Sequence, residues 1–121
     1  MKLKSYGYKI MCDATHSETL QKYMVINSGC NLRAVKFDSS FTLKDEFIGY
    51  FDLYKHFKGG LYYLLSNNVE LEYDDKTTER HVLYRSFDTN KIWLRPFDMF
   101  FDTNRFTQQN NNDKDNTIYY E

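Results

Sequence analysis

Three places in this 121-residue chain hold the residue types best able to do chemistry. His16-Ser17-Glu18-Thr19 brings an imidazole, a hydroxyl and a carboxylate together. A nucleophile needs a base within hydrogen-bond reach and a third group to orient that base. Adjacency on a polar loop does not supply this. His16, Glu18 and Thr19 therefore read as a turn and as ligand contacts, with a small hydrolase using His16 and Glu18 as the enzymatic alternative. Lys58-Gly59-Gly60 could offer backbone N–H groups and an ammonium to an anion. Two glycines fall far short of a phosphate loop, however, and suit a hairpin turn equally. Arg85, Trp93 and Arg95 form the third group. A guanidinium can stack on an indole and also fork onto a phosphate, the plainer alternative being a structural cation–π pair. Tyrosines nearby would add stacking surface for a base.

Other polar clusters are weaker. The acidic run Glu70, Glu72, Asp74 and Asp75 lacks the Asp/Asn order and turn glycine of a calcium loop and reads as a solvated loop. His56 and His81 fall on expected strands with no partner at ligand spacing. Cys12 and Cys30 fit neither a metal nor a redox spacing. They read as free thiols in a reducing compartment, with a single bridge left open. No metal, no cofactor and no catalytic residue is assigned.

The elements that must position these residues are short strands. Tyr6 to Cys12, Lys22 to Asn27, Leu32 to Phe37, Phe51 to Phe57, Leu61 to Leu65, His81 to Ser86 and Lys91 to Arg95 alternate or centre on apolar residues, as half-buried strands do. Polar connections are expected over 13–19 and 67–80. A short helix is expected near 43–48, where Thr42 could cap and Leu43 and Phe47 share a helical face. Pro96 should end its strand. The stretch 107–121 is rich in Asn, Gln and Asp and is expected to be a disordered tail.

Aromatic residues make up 18 % of the chain, with eleven Tyr and ten Phe, which favours a sheet whose surface packs large flat side chains. A net charge of −1 argues against a general nucleic-acid binder. The start of the chain lacks the apolar run of a secretory leader, and no run reaches the roughly 18 apolar residues of a spanning helix. A cytoplasmic protein with no membrane partner is the expectation.

The two halves can be laid over one another. Residues 3–11 match 57–65 at an offset of 54, 22–26 match 80–84 at 58, and 36–38 match 96–98 at 60. The domain reading is a first, degenerate β unit over 1–45, a second over 46–106 and the tail beyond.

Residues 54–101 resemble a family of small bacterial and phage proteins known as domain of unknown function 1653. The resemblance is carried by Tyr54, His56, Phe57, Lys58, Gly59 and Gly60, then Leu83-Tyr84-Arg85, then Trp93-Leu94-Arg95-Pro96 with Met99-Phe100. One departure stands out. The family's central His-Ser-Glu-Thr is replaced here by 69–73 and appears instead in the first half at 16–19, as in a degenerate tandem copy. The resemblance implies a compact β domain and brings no established activity.

The fold expected is all-β, as two tandem SH3-like barrels or one elaborated barrel, with the short helix at 43–48. The function expected is a non-enzymatic binding module for a small anionic or nucleotide-like ligand, a role suited to a phage protein that sequesters a host signalling nucleotide in defiance of host defence. The ligand residues would be His16, Glu18, Thr19, Lys58, Arg85, Trp93 and Arg95. The alternative partner is a host protein, with the chain acting as an inhibitor of a host enzyme. A homo-oligomer would fit, because a small chain can deepen a pocket at a subunit interface.

Overall fold

The structure, a computed structural model, describes residues 8–29, 31–38, 42–49, 51–102 and 105–109. It is all-β. The strands are Tyr8–His16 (β1), Lys22–Ser28 (β2), Asn31–Lys36 (β3), Asp52–His56 (β4), Leu61–Glu72 (β5), Thr78–Ser86 (β6), Ile92–Pro96 (β7) and Phe106–Gln108 (β8), with one short helix among the described residues, Phe97–Phe100 (α1).

Six strands close a ring. β1–β2–β3 is an antiparallel meander and β5–β6–β7 is another. Two parallel seams join them: Thr15 and His16 of β1 pair with Trp93 and Leu94 of β7, and 32–34 of β3 pair with 69–71 of β5. The outcome is one elaborated barrel shared by both halves. Its register follows the internal repeat. Ile10 pairs with Ile26, and their counterparts Leu64 and Tyr84 pair with each other. A bulge follows Ile10 in β1 and Leu64 in β5. Met24 pairs with Val35 as Val82 pairs with Arg95.

The ring is filled by Cys12, Ala14, Val25, Val69, Leu71, Leu83 and Leu94, each almost completely buried. Burying such side chains contributes about 1.5–3 kcal/mol for each large one. A second apolar layer lies outside the wall on β5, β6 and β7. Here Val82 and Tyr84 are covered by Phe100 of α1, by Tyr54 of β4 and by Phe106 of β8. β4 and β8 extend the sheet beyond β5 and carry this layer.

Several expectations need correcting. No helix forms at 43–48; the segment 42–49 is irregular and lies along the barrel. It is held there by Asp13 accepting from the Leu43 N–H (3.2 Å), by Glu46 N–H donating to the Met11 carbonyl (2.8 Å) and by an Arg85–Asp45 ion pair. Phe47 of this segment and Phe51 beyond it pack on the core, so tertiary contacts override the weak helical pattern. β1 runs on through Asp13 to His16, which were expected to be loop. β5 and β6 likewise extend into the polar stretch 67–80. Val69 and Leu71 point inward there while Glu70 and Glu72 face outward toward Arg33 (3.8 and 4.0 Å), leaving a turn around Asp74–Lys76. Thr107 and Gln108 belong to β8 rather than to a disordered tail. The rest of that tail, Cys30 and the start of the expected first strand lie outside the described residues. Cys12 is a free, buried thiol, pushed up by burial and by the nearby Asp45 and Asp13 carboxylates. Among the described residues no helix is long and apolar enough to cross a membrane.

Candidate functional site

Strand alternation sorts the expected site residues onto different faces. On the paired strands β6 and β7, Tyr84 lies opposite Trp93 and Val82 opposite Arg95, so Trp93 and Arg95 share the outer face. Arg85 lies opposite Ile92 and faces the other way. There it pairs with Asp45 at the mouth of a groove of about 870 Å³ that also holds Asp13, Lys22 and Lys91. Arg85 therefore does not join Trp93 and Arg95.

His16 is also placed apart. It sits at the inner end of β1, 3 % exposed, and its ring meets His81 of β6. The Nδ1 atom accepts from the Glu18 and Thr19 N–H groups at 3.2 and 3.4 Å. The proton must then be on Nε2, which donates to Nε2 of His81 at 3.1 Å; His81 in turn donates from Nδ1 to the Glu79 carbonyl at 3.0 Å. Both imidazoles are engaged at both nitrogens and neutral. Burial lowers both below the ordinary histidine range, and His81 lowers His16 further, whereas the Glu79 carbonyl and the Glu79 and Glu18 carboxylates offset part of the effect on His81. Glu18 and Thr19 are exposed on the β1–β2 turn, where the Thr19 hydroxyl accepts from the Gln21 N–H. Lys58 is exposed on the β4–β5 hairpin, which turns on Gly59 at φ 109°.

What the fold does bring together is a cleft of about 230 Å³ on the outer layer, lined by Ser17, His56, Tyr62, Tyr84, Trp93, Arg95 and Phe106. Its floor is a nest of edge-on rings: Tyr62 with Tyr84 at 5.4 Å, Tyr62 with Phe106 at 5.6 Å and His56 with Phe106 at 4.9 Å between centroids. Such pairs favour these tilted geometries because a ring's positive edge meets its neighbour's negative face. Phe106 is itself stacked on Phe100 at 4.2 Å, which fixes the floor to α1.

Arg95 is the charged group of the cleft. Its Nε donates to the Tyr84 hydroxyl at 3.0 Å and its guanidinium carbon lies 5.6 Å from the Phe106 centroid. Among the described residues no carboxylate comes within 4.0 Å of it, whereas Arg33 faces Glu70 and Glu72, and Arg85 faces Asp45. Burial pushes the Tyr84 phenol up, and Arg95 offsets part of that. His56 reports the local field. Burial, then the Arg95, Arg105 and Lys58 cations, hold its imidazole below the ordinary value. Its Nδ1 accepts from the Lys58 N–H at 3.1 Å, so Nε2 carries the proton. Trp93 has the Lys91 ammonium 4.4 Å from its ring centre. The Ser17 hydroxyl is buried beside the Tyr84 phenol. An electropositive cleft with aromatic walls can hold a planar ring and an anion; among the described residues no cluster could hold a metal ion.

The sequence pointed to Trp93 and Arg95 as ligand contacts, placed Ser17 with His16 rather than here, read His56 as a strand histidine without a partner, and assigned no role to Tyr62, Tyr84 or Phe106. Tyr62 and Tyr84 are two of eleven tyrosines, and only the β5–β6–β7 register singles them out. His56 had a signal in its place beside Lys58-Gly59-Gly60, since the hairpin folds it over Tyr62.

A family model described as a protein of unknown function, DUF1653, matches residues 52–112. That span runs from β4 through β8 and holds every cleft residue except Ser17. No curated protein and no solved structure matches the chain. With about half its length matched by that model, and the matched half supplying the cleft, the chain belongs to the DUF1653 family of proteins of unknown function.

Proposed function

We propose that this protein is a non-enzymatic binding module whose ligand is a small anionic, nucleotide-like molecule held in the Arg95 cleft. The observation that carries this reading is Arg95 itself. It is a half-buried cation in an aromatic cleft, steadied by Tyr84, with no carboxylate within 4.0 Å among the described residues. Partly burying a charge without a counter-ion is costly, and an anionic ligand would remove that cost. Trp93, Tyr62 and Phe106 offer ring faces and edges for a base, which stack with any nucleobase. The cleft is smaller than the roughly 300 Å³ at which drug-sized pockets begin, so it suits one ring and one charged group. The role such a module serves is capture or sensing of a nucleotide.

A thermal-shift screen against nucleosides, nucleotides and cyclic nucleotides tests this reading. A rise in Tm with a nucleotide, lost in Arg95→Ala and kept in Arg33→Ala, is the expected result. A folded protein that responds to no anionic ligand, or that responds equally well without Arg95, would overturn it.

A further inference from the structure

We infer that the anion accepted by the cleft is the singly charged phosphate of a phosphodiester, which makes the ligand a cyclic nucleotide rather than a nucleoside monophosphate. This rests on reading the cleft as a nucleotide site.

Arg95 spends its Nε on the Tyr84 hydroxyl at 3.0 Å. What remains is the fork formed by its two Nη groups, which makes two parallel hydrogen bonds to one acceptor group. A phosphodiester has two non-bridging oxygens and fills that fork. A terminal phosphate has a third oxygen and, near neutral pH, carries a charge of about −1.5 to −2.

The cleft lining contains one Arg and no Lys. The nearby ammonium groups are turned to rings, Lys91 onto Trp93 at 4.4 Å and Lys58 onto Phe57 at 5.7 Å. His56 adds a single neutral Nε2–H, because its Nδ1 accepts from Lys58 N–H and burial, then the surrounding cations, disfavour a second proton. Arg105, whose charge also reaches His56, stands outside the lining, so the one guanidinium in the lining balances a monoanion. A dianion would bring an uncompensated negative charge into a half-buried aromatic site, which is costly.

Such a diester could come from a cyclic nucleotide or from a nucleic-acid strand. A strand of RNA or DNA also presents monoanionic diesters, but its binding draws on several spaced cations. This chain has a net charge of −1, and Arg33, Arg85 and Lys36 on other faces are matched by Glu70, Asp45 and Asp74. A single cleft with one open fork favours a single cyclic unit.

The experiment is calorimetric titration of the full chain at pH 7.5 with four 3′,5′-cyclic nucleotides, the matching 5′-monophosphates and a short single-stranded oligonucleotide. At least one cyclic nucleotide should bind 10-fold or more tightly than the 5′-monophosphate of the same base. Arg95→Lys keeps the charge but not the fork, and should lose at least 10-fold in cyclic-nucleotide affinity while its unliganded Tm stays near that of the parent. Equal or tighter binding of the 5′-monophosphate through Arg95 would overturn this inference and leave the nucleotide site standing. Preference for the oligonucleotide would overturn the cyclic ligand. No binding of any nucleotide to the folded protein would overturn both.

Discussion

At the scale of single residues, the two histidines buried in the barrel show how a catalytic-looking cluster becomes structural. His16, Ser17 and Glu18 are adjacent in sequence, yet His16 is the last residue of β1 and points inward to His81, while the turn that begins at Ser17 leaves Glu18 in solvent. The relay from the Glu18 and Thr19 N–H groups through both rings to the Glu79 carbonyl has no room for another proton. The native pKa values of both rings lie below the unfolded value of about 6.5. The unfolded chain therefore binds more protons as pH falls past that value. The stabilisation is complete above about pH 6.5 and is lost as pH drops through the native values. Urea midpoints measured across pH 5–8 should fall on the acid side. His81→Gln keeps an acceptor for His16 but cannot titrate at that position, so its midpoint should fall less steeply. A parent midpoint that is flat between pH 7 and 5 would contradict the neutral pair.

At the scale of elements, hairpin turns give the sharpest comparison. The turn from His16 to Gln21 and the turn from Ser86 to Lys91 share their hydrogen bonds: Leu20 N–H to the His16 carbonyl and Asn90 N–H to the Ser86 carbonyl, both at 2.9 Å. Each also has a threonine hydroxyl accepting from the last N–H of the turn at 3.2 Å. Both need a left-handed residue, and the two places are filled by Leu20 at φ 63° and Asn90 at φ 62°. Asn tolerates this region and Leu does not, at a cost of about 1–2 kcal/mol. Leu20 is 66 % exposed and gives up little packing. Leu20→Asn should raise the urea midpoint by the equivalent of about 0.5–1 kcal/mol with an unchanged slope. A lower midpoint would mean that the leucine side chain contributes more than its exposure suggests.

The same scale explains what could be read in advance. Leu32 to Phe37 was legible as a strand because apolar and polar residues alternate, and His81 to Ser86 and Lys91 to Arg95 because each centres on a short apolar run between polar residues. The far half of β5 was missed although Val69-Glu70-Leu71-Glu72 alternates, because its outward glutamates, which face Arg33, read with Asp74 and Asp75 as a solvated loop. The cleft was half legible for a related reason. Trp93 and Arg95 announce themselves by type, while His56, Tyr62 and Phe106 become neighbours only through pairings among β4, β5 and β8.

At the scale of the whole molecule, the ring has a two-fold logic that the functional layer breaks. Half a turn about the barrel axis exchanges the meanders β1–β2–β3 and β5–β6–β7 and exchanges the two parallel seams. The repeat offsets place Arg33 where Trp93 stands and Val35 where Arg95 stands. In the first half the cation is met by Glu70 and Glu72, while the second half carries α1, β4 and β8 and leaves its arginine open to the cleft. The family match, 52–112, covers one meander with this added layer. Alone, that meander would expose Leu65, Val69, Leu71, Leu83 and Leu94, a contiguous apolar face that a soluble monomer rarely tolerates. It would also expose the edges of β5 and β7 to new pairing. Because the two-fold maps each meander onto the other, a second copy of β5–β6–β7 has the direction and register to occupy the place of β1–β2–β3. A fragment of residues 46–109 should therefore sediment as a dimer, and adding a peptide of residues 1–38 in excess should convert it to a one-to-one complex. A fragment that sediments as a folded monomer would show that the second half carries its own core and that the ring is not what holds it together.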